Sequence, residues 1–154
     1  MIKEATLKKY ADEVFYRPHI QEYLKDSVSR FPYKDIKNWS PEIMISDTCG
    51  VNTAGQIWLN SIYAKEIPIL EISKWILASD KEAKRVVRHE IAHIIQFLCD
   101  YDENKKWHGK DYIKALKVVS PNNYKRGKDS DRGWHETPEI LQARKIYHPL
   151  TKVS

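Results

Sequence analysis

The 154-residue sequence has few cysteines and no long apolar run, and each absence excludes a class of protein. Its two cysteines, Cys49 and Cys99, are too few for a disulfide framework or a four-cysteine zinc ribbon. The longest apolar stretch, residues 67–78, is interrupted by a proline and two charged residues, whereas a membrane-spanning helix needs about 20 apolar residues. The charged N-terminus lacks the apolar core of a secretory signal, so we expect a cytoplasmic protein with free thiols.

Basic charge is in excess, and the excess is local. Nine Lys and Arg residues but only four Asp and Glu residues lie in segment 103–132, so the whole formal net charge of +5 belongs to this segment. A local basic surface attracts polyanions such as nucleic acid. A solvated lysine-rich face without a partner is the alternative explanation.

Hydrophobic periodicity and capping residues predict helices separated by short strands and turns. The best supported helix begins after Ser79, which can form a capping box with Glu82, and runs from about 80 to 98. The other expected helices lie at 3–16, 20–29, 110–119 and 137–147. Strands are expected within 36–46 and at 57–59, pairing as a hairpin, and near 75–77. The polar, glycine-containing residues 121–133 are expected to form a mobile loop.

Residues 89–93 read His-Glu-Ile-Ala-His and lie on the best supported helix. His89 and His93 stack one turn apart on one face, where they can fill two of the four tetrahedral positions of Zn²⁺. Glu90 is rotated by about 100° around the axis, which favours a role as catalytic base towards a water rather than as a ligand. The helix is otherwise apolar, and burying these three side chains without a metal would be costly.

A catalytic zinc usually has a third protein ligand and an open position. The residues after His93 lack the glycine and third histidine of the metzincin pattern. His108 is favoured, because Gly109 would let the backbone approach the metal after the helix reverses. His135 is a rival, His19 and His148 flank prolines and are expected at the surface, and the candidate carboxylates are Glu103, Glu136 and Glu139.

At this point the sequence resembles the SprT-like (Spartan-type) metallopeptidases. Their pattern is an HExxH helix, a loop of this length, and a third zinc histidine in His-Gly-x-x-aromatic, which residues 108–112 match as His-Gly-Lys-Asp-Tyr. Residues 55–60, Gly-Gln-Ile-Trp-Leu-Asn, resemble the strand before the family's active-site helix. The stretch between Asn60 and His89 is longer than the family's usual spacing, and two cysteines exclude the C-terminal zinc ribbon of many members.

The resemblance covers about residues 5–119 and implies an α+β, zincin-like fold. A small antiparallel sheet would pack on the HExxH helix, with helices on either side. We expect residues 1–154 to form a single SprT-like metallopeptidase domain, in which 120–154 supply a basic loop and a C-terminal helix.

The resemblance also implies a zinc metalloendopeptidase, with His89, His93 and His108 as metal ligands and Glu90 as catalytic base. The family's substrates are proteins, often bound or crosslinked to DNA, which suggests crosslink repair and DNA binding through segment 105–132.

Two other functions remain open. One is a zinc-containing module that binds nucleic acid or protein without proteolysis, and the other is a peptidase dedicated to one regulatory protein. Trp107 and Tyr112 are expected to pack around the site or in the core, and Tyr124 and Arg126 are candidates for stabilising the oxyanion.

Overall fold

A computed structural model describes residues 1–47, 49–58, 67–102, 104 and 106–149. Within these ranges the helices are α1 (Glu4–Phe15), α2 (Pro18–Ser27), α3 (Tyr33–Ile36), α4 (Asp80–Asp100), α5 (Lys110–Val119) and α6 (Pro138–Tyr147). The strands are β1 (Ile43–Ser46), β2 (Gly55–Trp58) and β3 (Ile69–Ser73), and a 3-10 helix, Lys74–Ala78, follows β3. None of the helices in the described part of the chain has the length and apolar character needed to cross a bilayer.

The five predicted long helices are confirmed, with ends that differ by only a residue or two. Ser79 is the N-cap of α4 and accepts a hydrogen bond from the backbone N–H of Glu82 at 3.2 Å. Thr137 caps α6 in the same way, with Pro138 in its first turn. These ends are predictable because a capping side chain satisfies a backbone N–H that has no partner within the helix.

The sheet is mixed, so the predicted antiparallel sheet is wrong. Its order is β1-β3-β2, with β1 parallel and β2 antiparallel to β3. The expected hairpin between β1 and β2 is therefore also wrong, because β3 lies between them. Residues 75–77 belong to the 3-10 helix rather than to a strand, and residues 59 and 60 lie outside the described residues.

The central strand β3 was difficult to recognise because it carries a buried charge. Glu71 is only 3% exposed, and its carboxylate accepts hydrogen bonds from Cys49 Sγ at 2.9 Å and Gln56 Nε2 at 2.5 Å. These partners lower the pKa of Glu71 against the opposing effect of burial. A satisfied buried carboxylate thus interrupts the apolar run that usually marks a central strand.

Helix α4 is the core helix, and β2 lies close against it. Its buried side chains include Val86, Val87, Ile91, Ile94 and Ile95. A Cβ added to Gly55 would lie 2.7 Å from Val86 Cγ1 and 3.2 Å from the backbone oxygen of Glu71, so glycine is required for this approach. The approach brings β2 beside the turn of α4 that carries the sequence-predicted site.

Segment 121–133 forms no helix or strand, as expected, but its C-terminal end is not a free loop. Ser130 is 6% exposed and Asp131 is completely buried. Asp131 binds two arginines of α4, and α6 packs on the 3-10 helix after the segment ends. Residues 130–147 are therefore part of the structure around α4.

Candidate metal centre

Three histidine side chains converge between α4 and the start of α5. His89 and His93 project from one face of α4, and His108 lies in the turn before Gly109, the N-cap of α5. Their Nε2 atoms are 3.2 Å (His89–His93), 3.1 Å (His93–His108) and 3.3 Å (His89–His108) apart. Tetrahedral ligation at about 2.0–2.1 Å places ligand atoms about 3.3 Å from one another, so these distances suit one metal ion.

Hydrogen bonds at the other ring nitrogens orient two of these imidazoles. His89 Nδ1 lies 3.1 Å from the backbone oxygen of Asp131, and His93 Nδ1 lies 3.1 Å from Gln96 Oε1. Both oxygens only accept, and Tyr112 Oη, 2.7 Å from His89 Nδ1, can accept as well, so these contacts favour the tautomer in which Nδ1 carries the proton and Nε2 directs a lone pair to the shared point. The three converging Nε2 atoms cannot all be paired by hydrogen bonds to one another, whereas one bound cation would accept a lone pair from each of them.

Burial keeps the imidazoles in the neutral form that binds metals. Burial lowers the pKa of His89 to about 4 and that of His93 to about 3, and neighbouring histidines lower the His93 pKa further. The pKa of His108 is also lowered, first by burial and then by the positive charge of Arg132. All three rings are therefore available as ligands at neutral pH.

Glu90 lies beside the triad rather than within it. Its side chain is buried, and its Oε1 is 4.0 Å from His89 Nε2. Burial raises the pKa of Glu90 to about 8. A nearby cation would favour the ionised form, so the carboxylate is placed to gain and release a proton near neutral pH.

The triad and Glu90 open into a cavity of about 470 Å³. Strand β2 supplies one wall through Gly55, Gln56 and Ile57, and Trp107 supplies another. Tyr112 is buried and stacks on His93 with ring centroids 4.5 Å apart, so the expected packing of Trp107 and Tyr112 around the site is confirmed.

A model of the SprT-like family matches residues 20–128, more than half of the chain. The chain belongs to the SprT-like family. This confirms the resemblance seen in the two histidine motifs, and it supports a metallopeptidase-like domain. Searches of curated proteins and of solved structures found no match.

The rival ligands of the SprT-like site lie elsewhere. His135 Nε2 is 3.3 Å from the backbone oxygen of Ser130, and the backbone N–H of His135 donates to the Glu82 carboxylate. Glu136 pairs with Arg144, Glu139 is exposed on α6, and Glu103 lies outside the described residues. His19 is exposed on α2, where its Nε2 is 3.0 Å from the backbone oxygen of Val118, and His148 follows α6.

The proposed oxyanion residues do not line the SprT-like cavity. Tyr124 and Arg126 are absent from its walls, and the Tyr124 ring instead lies 5.0 Å from Lys117 Nζ. Arg132 is the basic residue whose charge acts on His108 and Tyr112.

Sequence reasoning missed the residues that hold the ligands. Gln96 was detectable, because it follows His93 by three residues on the same helix face. Asp131 gave no local signal: it lies outside the SprT-like match and 42 residues after His89. Its buried carboxylate accepts from Arg88 Nε at 2.6 Å, Arg85 Nη1 at 3.3 Å and Ser120 Oγ at 2.5 Å.

Proposed function

We propose that this chain is a zinc-dependent endopeptidase that hydrolyses peptide bonds in protein substrates. The observation that carries the proposal is the joint geometry of the triad and Glu90. Three lone pairs converge within 3.1–3.3 Å, and a buried carboxylate lies 4.0 Å from one of them at an open cavity. A purely structural metal site does not need a proton acceptor beside it.

His89, His93 and His108 would hold the zinc, which when bound polarises a carbonyl and lowers the pKa of water towards about 7. Glu90 then takes a proton from the attacking water and delivers it to the leaving amine. Burial raises the pKa of Glu90 and a bound cation would lower it again, so the two opposing effects suit a group that must both accept and return a proton. Asp131 and Gln96 keep the imidazoles oriented throughout.

Strand β2 is the element best placed to align a peptide. In the described part of the sheet it pairs with β3 alone, and Gly55, Gln56 and Ile57 line the cavity. We expect an extended substrate to add along β2, with main-chain hydrogen bonds providing affinity independent of sequence.

The metal site is tested by replacing one ligand and one bystander histidine. Purified protein should bind about one zinc per chain through its three-histidine site. Losing a hydrogen-bond partner of a metal ligand typically weakens metal binding by about 10–100-fold. His108→Ala removes a ligand itself and should weaken zinc binding by more than that. His135→Ala is the matched control and should bind zinc normally, since the His135 ring contacts the backbone oxygen of Ser130 rather than the triad.

The catalytic part is measured on an unfolded protein such as casein. Zinc-loaded protein should cleave it, and a chelator should stop the cleavage. Equal zinc affinity in His108→Ala would overturn the metal site, whereas a zinc-loaded protein that cleaves nothing would favour a binding module.

The substrate class is a further part of the proposal: proteins bound or crosslinked to DNA. Lys117, Lys125, Arg126 and Lys128 are exposed in the basic segment, and two of them flank the ring of Tyr124. The charge of Arg132 reaches His108, so the basic segment extends to the metal centre. A DNA duplex held by this segment would bring a bound protein close to the cavity.

The double substitution Lys117→Glu/Lys125→Glu should weaken DNA binding and reduce its logarithmic salt slope by about 1 for each lost phosphate contact. Lys8→Glu/Lys9→Glu makes the same charge change at two exposed lysines of α1 that lie outside residues 103–132 of the sequence, and is the control. DNA should also stimulate cleavage of a DNA-bound protein by the parent chain. Proteolysis that is indifferent to DNA would instead support a peptidase dedicated to one regulatory protein.

A further inference from the structure

A second cavity of about 190 Å³ touches the same catalytic groups. Like the first cavity, it is lined by His89, Glu90 and Gly55. Its other walls come from the loop before β2, from α4, and from the segment before α6: Asn52, Thr53, Ala54, Val86, Gly133 and Trp134. A substrate whose reacting bond lies at Glu90 therefore has this cavity within reach of an adjacent side chain.

Arg144 of α6 holds two opposite walls of this cavity in place. Its guanidinium carbon lies 4.9 Å from the ring centroid of Trp134, and its Nε donates to the backbone oxygen of Val51 at 2.9 Å. A further guanidinium nitrogen donates to Asn52. Trp134 also packs edge-on against buried Trp75, with centroids 5.1 Å apart. Arg144 is only 1% exposed, so buried contacts join the loop before β2 to the segment before α6.

The lining selects the chemistry of an occupant. Val86, Ala54 and Trp134 provide apolar contact beside the polar side chains of Asn52, Thr53, His89 and Glu90, and none of the described lining residues is Lys or Arg. An anionic side chain entering it would lose water without gaining an ion pair, and a cationic one would pair with Glu90, which the proposed reaction needs as its base. Apolar cavities of about 150 Å³ hold a molecule of the size of benzene, so a volume of about 190 Å³ suits one medium-sized apolar side chain.

We propose that this cavity binds the side chain next to the scissile bond, that it selects a medium-sized apolar residue, and that Trp134 is its specificity-determining wall. The proposal rests on the proposed peptidase function, because that function places the reacting bond at Glu90. Gly133, Trp134 and Arg144 all follow residue 128, where the family match ends, so this selectivity belongs to the chain's own C-terminal part.

Two small metal-binding probes test the subsite without requiring catalysis. Acetohydroxamate and 4-methylpentanohydroxamate share the chelating group and differ by one isobutyl group. Calorimetry on the zinc-loaded protein should show the isobutyl compound binding at least about tenfold more tightly, from the burial of four carbon atoms.

Gly133→Val should remove this preference, because a Cβ at Gly133 meets no atom within 4 Å and the added methyl groups can occupy the cavity. Trp134→Ala should shift the preference to a benzyl-substituted hydroxamate. Ile146→Ala, a change at an exposed apolar residue of α6 that lines neither cavity, should leave the ratio unchanged.

A complementary measurement identifies the bonds cleaved in a proteome-derived peptide mixture by mass spectrometry. Aliphatic residues should be enriched at one position beside the cleaved bond, and Trp134→Ala should enrich aromatic residues there. A Gly133→Val protein that keeps the probe preference would overturn the subsite even if the enzyme is active. Intact probe preference without any cleavage would overturn the peptidase function and retain the pocket, and failure to bind either probe would overturn both.

Discussion

Glu90→Gln is expected to reduce kcat/KM for protein cleavage by about 10²–10⁴-fold while leaving zinc affinity close to that of the parent chain. Gln keeps the size of the side chain but cannot take a proton from water. Zinc affinity persists because the three Nε2 atoms, not Glu90, form the ligand triad. The measurements are steady-state cleavage of a protein substrate and competition for zinc with a chelator of known affinity.

Glu13→Gln, an exposed substitution on α1, is the matched control and should change neither property. Cleavage by Glu90→Gln at the parent rate would remove Glu90 from the mechanism. Loss of zinc in the same variant would instead mean that Glu90 belongs to the metal site.

Glu90→Gln should also change the stability of the metal-free protein, in which Glu90 is a buried acid without a nearby cation. Its pKa is raised from 4.5 to about 8 by burial, so folding becomes less favourable as pH rises through this interval. Metal-free Glu90→Gln should therefore be more stable than the parent at pH 9 and similar to it at pH 4.5. Urea unfolding at these two pH values measures the difference, and zinc should diminish it.

His89 and His93 give the metal-free protein the opposite pH dependence. Their pKa values fall from 6.5 to about 4 and about 3, so the native state binds fewer protons than the unfolded chain in this range. Stability should fall as pH decreases below 6.5, and the Glu90→Gln background should show this loss without the opposing change from Glu90.

The sequence was sufficient for the parts of the site that depend on local spacing. His89 and His93 are four residues apart on a helix with a clear apolar period, and His108-Gly109 opens the next helix, so both motifs were visible before the structure. The three rings meet because α4 and α5 pack against each other, which the sequence alone did not show. The expectation that His108 approaches the other two rings depends on Gly109 and on the family resemblance, not on a helical spacing.

Long-range pairing was harder to predict for a physical reason. The position of β3 between β1 and β2 depends on contacts between residues far apart in the sequence. Glu71 is buried in β3 with hydrogen bonds from Cys49 and Gln56, which the sequence alone does not show. No local sequence pattern predicts that Trp134 and Arg144 pack against each other. Such residues become interpretable only when the fold brings their partners together.

Asp131 shows how much of the metal centre depends on one such residue. Its side chain is completely buried, faces Arg85 and Arg88 of α4, and raises the pKa of Arg88 together with Tyr10. Its backbone oxygen is the acceptor 3.1 Å from His89 Nδ1. Asp131 therefore pairs with the arginine beside the ligand, shares Arg85 with Glu82, and also orients the ligand itself.

Asp131→Ala is expected to lower the free energy of unfolding by about 3–5 kcal/mol, because it removes the carboxylate partner of Arg88 and leaves Arg85 with Glu82 as its ion-pair partner. It should also weaken zinc binding by about 10–100-fold, since the carbonyl at 131 is no longer held against His89. Asp129→Ala, an exposed change two residues earlier, should remain within about 0.5 kcal/mol of the parent. Urea unfolding in chelator and zinc competition at low temperature, where both variants are folded, separate the two effects.

Asp131→Asn distinguishes orientation of the ligand from general stability. It keeps the shape of the side chain and an oxygen that accepts from Arg88, so the backbone at 131 should stay closer to His89 than in Asp131→Ala. Zinc affinity should then recover more completely than stability, because the lost charge still leaves Arg85 and Arg88 under-neutralised. Equal recovery of both properties, or parent-like zinc affinity in Asp131→Ala, would mean that the carbonyl at 131 does not position His89.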